Sequence, residues 1–77
     1  MKVRVYAAGF CSFEHIDEEG FMNLPADASL NDVYKRLRIP LLLRKVVFAA
    51  VNYEQAKLAT KLEDGDVVSL LGPLSGG

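Results

Sequence analysis

Three places in this 77-residue sequence carry groups suited to chemistry: the run Gly72-Pro73-Leu74-Ser75-Gly76-Gly77, the single cysteine Cys11, and His15 among Glu14, Asp17, Glu18 and Glu19. The first offers the most. A chain ending in Gly76-Gly77 presents a carboxylate on backbone without Cβ atoms, which suits a narrow channel, with Pro73, Leu74 and Ser75 as the lead-in. Six extended residues at about 3.3–3.6 Å each reach roughly 20 Å. A terminal carboxyl has a pKa near ~3.5 and is ionised at neutral pH. Once a partner neutralises its charge it can attack the α-phosphate of ATP, and the resulting acyl-adenylate is open to sulfur. The plainer alternative is a frayed end, because glycine is common at termini. The elements that precede the tail favour the chemical reading.

Cys11 and His15 carry less. One cysteine forms no intramolecular disulfide, four-thiolate cluster or cysteine-rich zinc site. No basic neighbour in sequence lowers the Cys11 pKa, so an inert small hydrophobe is expected rather than a sulfur relay. His15 has no partner at ligand spacing, its acidic neighbours read as a solvated loop, and no metal site is expected. There is no Ser-His-Asp ordering and no phosphate-cradling glycine-rich loop.

Composition narrows the field further. A chain of 77 residues closes one modest core, so we expect one domain over 1–77 with 72–77 as a flexible tail. The formal charge is −1, and Lys35, Arg36, Arg38, Arg44 and Lys45 are scattered rather than striped, which argues against nucleic acid. The apolar runs at 41–43 and 46–51 fall far short of the ~20 residues that cross a bilayer, so no membrane is expected. The first residues alternate instead of forming the apolar stretch of a signal peptide. With a single cysteine, these features point to the cytoplasm.

Val3 and Val5 alternate with Lys2, Arg4 and Tyr6, predicting a strand over residues 2–7. Residues 8–20 lack a period and read as a loop with at most a helical turn. Residues 21–24 read as a short strand ended by Pro25. Ser29 with Asp32 marks a helix start, and Leu30, Val33, Tyr34 and Leu37 form one apolar stripe over about 30–38, before Pro40. Strands follow over 46–51, near 56–58 and over 67–71, with turns at Asn52-Tyr53 and Asp64-Gly65-Asp66. This order predicts an α+β fold of the β-grasp, ubiquitin-like kind: a mixed sheet of four to five strands with one main helix packed across it.

The run at 46–51 is apolar on both alternating faces, whereas one helix covers one face of a sheet. The other face needs cover. A protein partner meeting Phe48, Val67, Ser69, Leu71 and Leu74 is the favoured reading. The alternative is that Phe10, Phe13 and the leucines at 41–43 fold over it.

From Phe48-Ala49-Ala50-Val51-Asn52, through Leu62-Glu63-Asp64-Gly65-Asp66-Val67-Val68, to Pro73-Leu74-Ser75-Gly76-Gly77, the sequence resembles the MoaD/ThiS family of ubiquitin-like sulfur carriers. Pro73, followed by an apolar residue, a small residue and the diglycine, resembles the branch of the molybdopterin synthase small subunit. The resemblance implies that the Gly77 carboxylate is adenylated by an E1-like enzyme at the expense of ATP and converted to a thiocarboxylate. The sulfur would come from a sulfurtransferase or cysteine desulfurase. It would be delivered into the molybdopterin synthase large subunit for molybdenum cofactor biosynthesis. The carrier itself would catalyse nothing and would bind no cofactor. Sulfur carriage for thiamine, tRNA thiolation or protein conjugation stays open, as does a noncovalent ubiquitin-like interaction module.

Overall fold

Alternation at the start of the chain produces the first strand. In the computed structural model, which describes residues 1–7, 11–44 and 47–71, β1 spans Lys2–Tyr6 with Val3 and Val5 buried and Lys2 and Tyr6 exposed. β2, Phe21–Asn23, lies antiparallel to it with Met22 opposite Val3. Between them, residues 11–20 run through turns rather than a helix. Asp17 ties this stretch together, its Oδ1 accepting the amides of Glu19 and Phe21 at 2.9 Å each. Ile16 bridges back to Met22.

The apolar stripe at i, i+3, i+4 and i+7 becomes α1, Leu30–Arg36, with Leu30, Val33, Tyr34 and Leu37 buried. The helix stops two residues before the expected end. Arg38 adopts a left-handed φ of 58°, its amide donates to the Lys35 carbonyl and that of Ile39 to the Tyr34 carbonyl, both at 3.1 Å. Those two bonds are the Schellman pattern, which turns the chain before Pro40 can act. At the other end the Ser29 amide donates to Asp32 Oδ2 at 2.8 Å. That bond is the main reason the Asp32 carboxyl titrates below its ordinary 3.8. A carboxylate with a depressed native pKa adds stability that is present above its ordinary pKa and lost as pH falls through the native value. Urea midpoints should therefore fall between pH 7 and pH 3, and Asp32→Ala should lower the midpoint at pH 7 while narrowing that difference. An undiminished difference would assign the acid sensitivity to other groups, Asp17 among them, whose pKa is lowered chiefly by the Phe21 amide.

β3 is Phe48–Val51, starting inside the expected 46–51; Lys45 and Val46 lie outside the described residues. The buried Tyr34 hydroxyl donates to the Val47 carbonyl at 3.0 Å and so ties the helix to the head of this strand. Burial raises the Tyr34 pKa, which keeps that hydroxyl a donor. Asn52 and Tyr53 then turn with φ of 53° and 72°. Two left-handed residues form a primed hairpin loop matched to strand twist. The next strand therefore begins at once: β4 is Glu54–Ala56, not the expected 56–58.

β5, Val67–Leu71, completes a five-stranded sheet in the order β2-β1-β5-β3-β4. β5 lies parallel to β1 and antiparallel to β3, at the middle of the sheet. One helix on one face of this mixed sheet is the β-grasp arrangement. The Asp64-Gly65-Asp66 turn sets the start of β5. Asp64 Oδ1 accepts the Lys2 amide at 2.8 Å, Gly65 with φ of 88° donates to the Lys2 carbonyl at 2.8 Å, and Asp66 Oδ2 accepts the Glu63 amide at 2.8 Å. Asn52 clamps the other side, giving Nδ2 to Asp66 Oδ1 at 2.9 Å and accepting the Val67 amide at 3.0 Å. The core lies between sheet and helix, built on Val3, Met22, Leu30, Val33, Leu37, Ala49 and Val68, all fully buried. Among the described residues no helix is long and apolar enough to cross a membrane.

Candidate docking face and the end of the last strand

Side chains alternate along a strand, so pairing register decides which of them share a face. Phe48 lies opposite Leu71 and Ala50 opposite Ser69, while Arg4 pairs with Val67 and Tyr6 with Ser69. The ladder thus sets positions 48, 67, 69 and 71 on one face, with Arg4, Tyr6 and Phe21. Ala49, Val68, Val3 and Val5 take the other face, against the core. The first face is open: Tyr6 is 52% and Phe48 48% exposed, and Val67 and Ser69 are half-buried.

Phe13 and the leucines 41–43 are themselves exposed, and Leu41 and Leu42 line a groove with Ser29, Asn31 and Leu58. Phe10 lies outside the described residues. β5 ends at Leu71, between the strands bearing Tyr6 and Phe48, so the chain continues toward Gly77 from the rim of an aromatic, solvent-facing surface. Pro73, Leu74, Ser75, Gly76 and Gly77 lie outside the described residues.

Periodicity within strands brought Phe48, Val67, Ser69 and Leu71 together; it left out Arg4, Tyr6 and Phe21. The Arg4 guanidinium carbon stands 4.7 Å from the Phe21 ring centroid and 5.8 Å from that of Tyr6. Both are within cation–π range. The signal was present in the polar half of the β1 alternation, but its relation to Val67 needs the β1–β5 register.

Cys11 is 7% exposed within the core, where burial limits its access to soluble reactants. His15 is exposed in a turn. Among the described residues no group of three His, Cys, Asp or Glu side chains is disposed to hold a metal ion.

The model of the ThiS family matches residues 13–77. A search among curated proteins finds no match. The fold is similar to that of SAMP1 from Haloferax volcanii, at 22% identity and a TM-score of 0.57, covering 100% of this chain and 98% of that one. It is also similar to a protein described as molybdopterin converting factor, subunit 1, from Pyrococcus furiosus, at 24% identity and a TM-score of 0.54, covering 94% of each chain. At these identities the two structures speak for the fold alone.

Proposed function

The chain belongs to the ThiS family, and from that premise we propose that it carries sulfur as a thiocarboxylate on Gly77. An E1-like enzyme joins the Gly77 carboxylate to the α-phosphate of ATP with release of pyrophosphate. The terminal sulfur of a persulfide on a sulfurtransferase or cysteine desulfurase then displaces AMP to form an acyl disulfide, and a second thiol cleaves its S–S bond, leaving the thiocarboxylate on Gly77 and a disulfide on the donor. The thiocarboxylate enters the large subunit of molybdopterin synthase, where the catalysis takes place, in the cytoplasm.

The observation that carries this reading is the placement of β5. It ends between Tyr6 and Phe48 on an open face, so the glycine-terminated segment continues from a surface suited to docking. A docked enzyme then receives the tail at a fixed distance from the contact, which is what in-line attack on a nucleotide requires. The two central ladders hold the strand along its length.

The test is intact-mass analysis of the full chain after incubation with its organism's E1-like enzyme, ATP and a sulfur donor. We expect the increment of sulfur replacing oxygen, located in the C-terminal peptide. A chain left unmodified by every cognate activator would sink the proposal. The ThiS match also favours a second reading, in which the acceptor belongs to thiamine biosynthesis or tRNA thiolation. Binding to thiazole synthase or a thiouridylase in place of the molybdopterin synthase large subunit would select it.

A further inference from the structure

We propose that Arg4 is the charge by which the open face selects its activating enzyme, taking a carboxylate set at the edge of that enzyme's apolar docking surface. The inference rests on the carrier reading above and adds to it the chemistry of the contact.

Three observations carry it. The guanidinium is placed by aromatic neighbours, 4.7 Å from the Phe21 centroid and 5.8 Å from that of Tyr6, in the middle of a strand rather than on a loop. Among the described residues no carboxylate lies within ion-pair distance of it: Arg38 with Glu14, at 2.9 Å, is the one ion pair there. Asp17, next to the turn into β2, commits its Oδ1 to the amides of Glu19 and Phe21. Arg4 is half-buried on a face whose exposed neighbours are the rings of Tyr6 and Phe48. A docking partner that covers those rings also removes water from the guanidinium. A desolvated charge without a counter-charge is costly, so a partner that binds here tightly supplies one.

The planar guanidinium already lies over an aromatic ring, so it loses less side-chain freedom on pairing than a free arginine or lysine. The partner group is a single carboxylate on a protein. The acidic stretch Glu14, Asp17, Glu18 and Glu19 leads into β2 and repels a polyanion such as a nucleic acid.

The experiment measures the affinity of the full-length chain for its organism's E1-like enzyme at low and at high salt. The variants are Arg4→Gln, Arg4→Lys and Phe21→Leu. We expect Arg4→Gln to weaken binding by about 10- to 100-fold at low salt and to flatten the salt dependence, because a partly desolvated ion pair is lost. Arg4→Lys should restore the salt dependence and only part of the affinity. Phe21→Leu should keep the charge and lose part of the affinity. Arg4 lies outside the core, so thermal midpoints should stay close to that of the unaltered chain for both Arg4 variants. Equal affinity and equal salt dependence for Arg4→Gln and the unaltered chain would overturn this inference and leave the carrier reading standing. Absence of binding by the unaltered chain would overturn the docking reading together with this inference.

Discussion

Deleting Gly77 is expected to abolish ATP–pyrophosphate exchange with the activating enzyme while leaving the thermal midpoint nearly unchanged. The described core is built from buried residues between Val3 and Val68, and terminal residues in general contribute little burial. The reaction, in contrast, depends on where the carboxylate sits. Removing one residue retracts it by ~3.5 Å, whereas a misplacement of about 1 Å already costs on the order of 100-fold. Gly76→Val should be comparably damaging, since it places a branched side chain where the channel accepts bare backbone. A residue appended after Gly77 should also fail, because the reacting carboxylate would then lie too deep and belong to another side-chain type. Pyrophosphate exchange and sulfur transfer for the three variants, beside melting curves, make the check. Near-normal rates in all three would reduce Gly77 to a passive end, and the carrier proposal would be withdrawn.

Neighbouring valines of β5 should respond in opposite ways to the same substitution. Val68 is 0% exposed and stands in the ladder between Val5 and Val51, so Val68→Asp places a carboxylate in the core with no partner. A domain of this size holds about 4–12 kcal/mol in total at the usual ~0.05–0.15 kcal/mol per residue, and a buried unpaired charge consumes most or all of that. The variant should be unfolded at room temperature by circular dichroism. Val67 is half-buried on the open face. Val67→Asp should fold, with a lowered melting point, because the strand keeps its backbone bonds and the new carboxylate stays hydrated. It should then bind the activating enzyme poorly, since docking would have to desolvate that charge. If Val67→Asp unfolds as readily as Val68→Asp, position 67 belongs to the core and the open face is smaller than described. If it folds and binds normally, the face is not the docking surface.

The face of each element and the fold class are legible in the sequence, whereas exact element ends and the register between distant strands are not. The stripe Leu30, Val33, Tyr34 and Leu37 lies within eight residues, so its period fixed the helix face; Arg38, in a left-handed conformation without being glycine, hid the end of the helix. Val3 and Val5 marked β1 for the same local reason. The strand after Asn52-Tyr53 begins two residues earlier than the sequence predicts. Nothing in an Asn-Tyr pair announces the two-residue primed turn that asparagine-glycine would. Residues 11–20 show no period because their order comes from distant partners: the Ser12 amide donates to the Leu37 carbonyl, and Ile16 bridges Met22. The site divides along the same line. Phe48, Val67, Ser69 and Leu71 follow from alternation along two strands and from there being one helix to cover two faces. Arg4, Tyr6 and Phe21 join them only through the β1–β5 and β1–β2 registers, which relate residues as much as 63 positions apart.

The central place of β5 also governs the order in which the molecule can be made. During synthesis the hairpins β1–β2 and β3–β4 emerge before β5, but no ladder joins them: in the finished sheet β5 is the strand that pairs with both. Closing a sheet across residues so far apart in sequence is a slow, high-contact-order step, and it waits until β5 has left the ribosome. A nascent chain still lacking β5 has no ladder between its two hairpins, and an isolated hairpin is marginally stable at best. The open face is assembled in the same event, because Arg4 and Tyr6 meet Val67 and Ser69 only when β5 inserts. Under the proposed function, an activating enzyme that requires this face would adenylate only molecules that have finished folding.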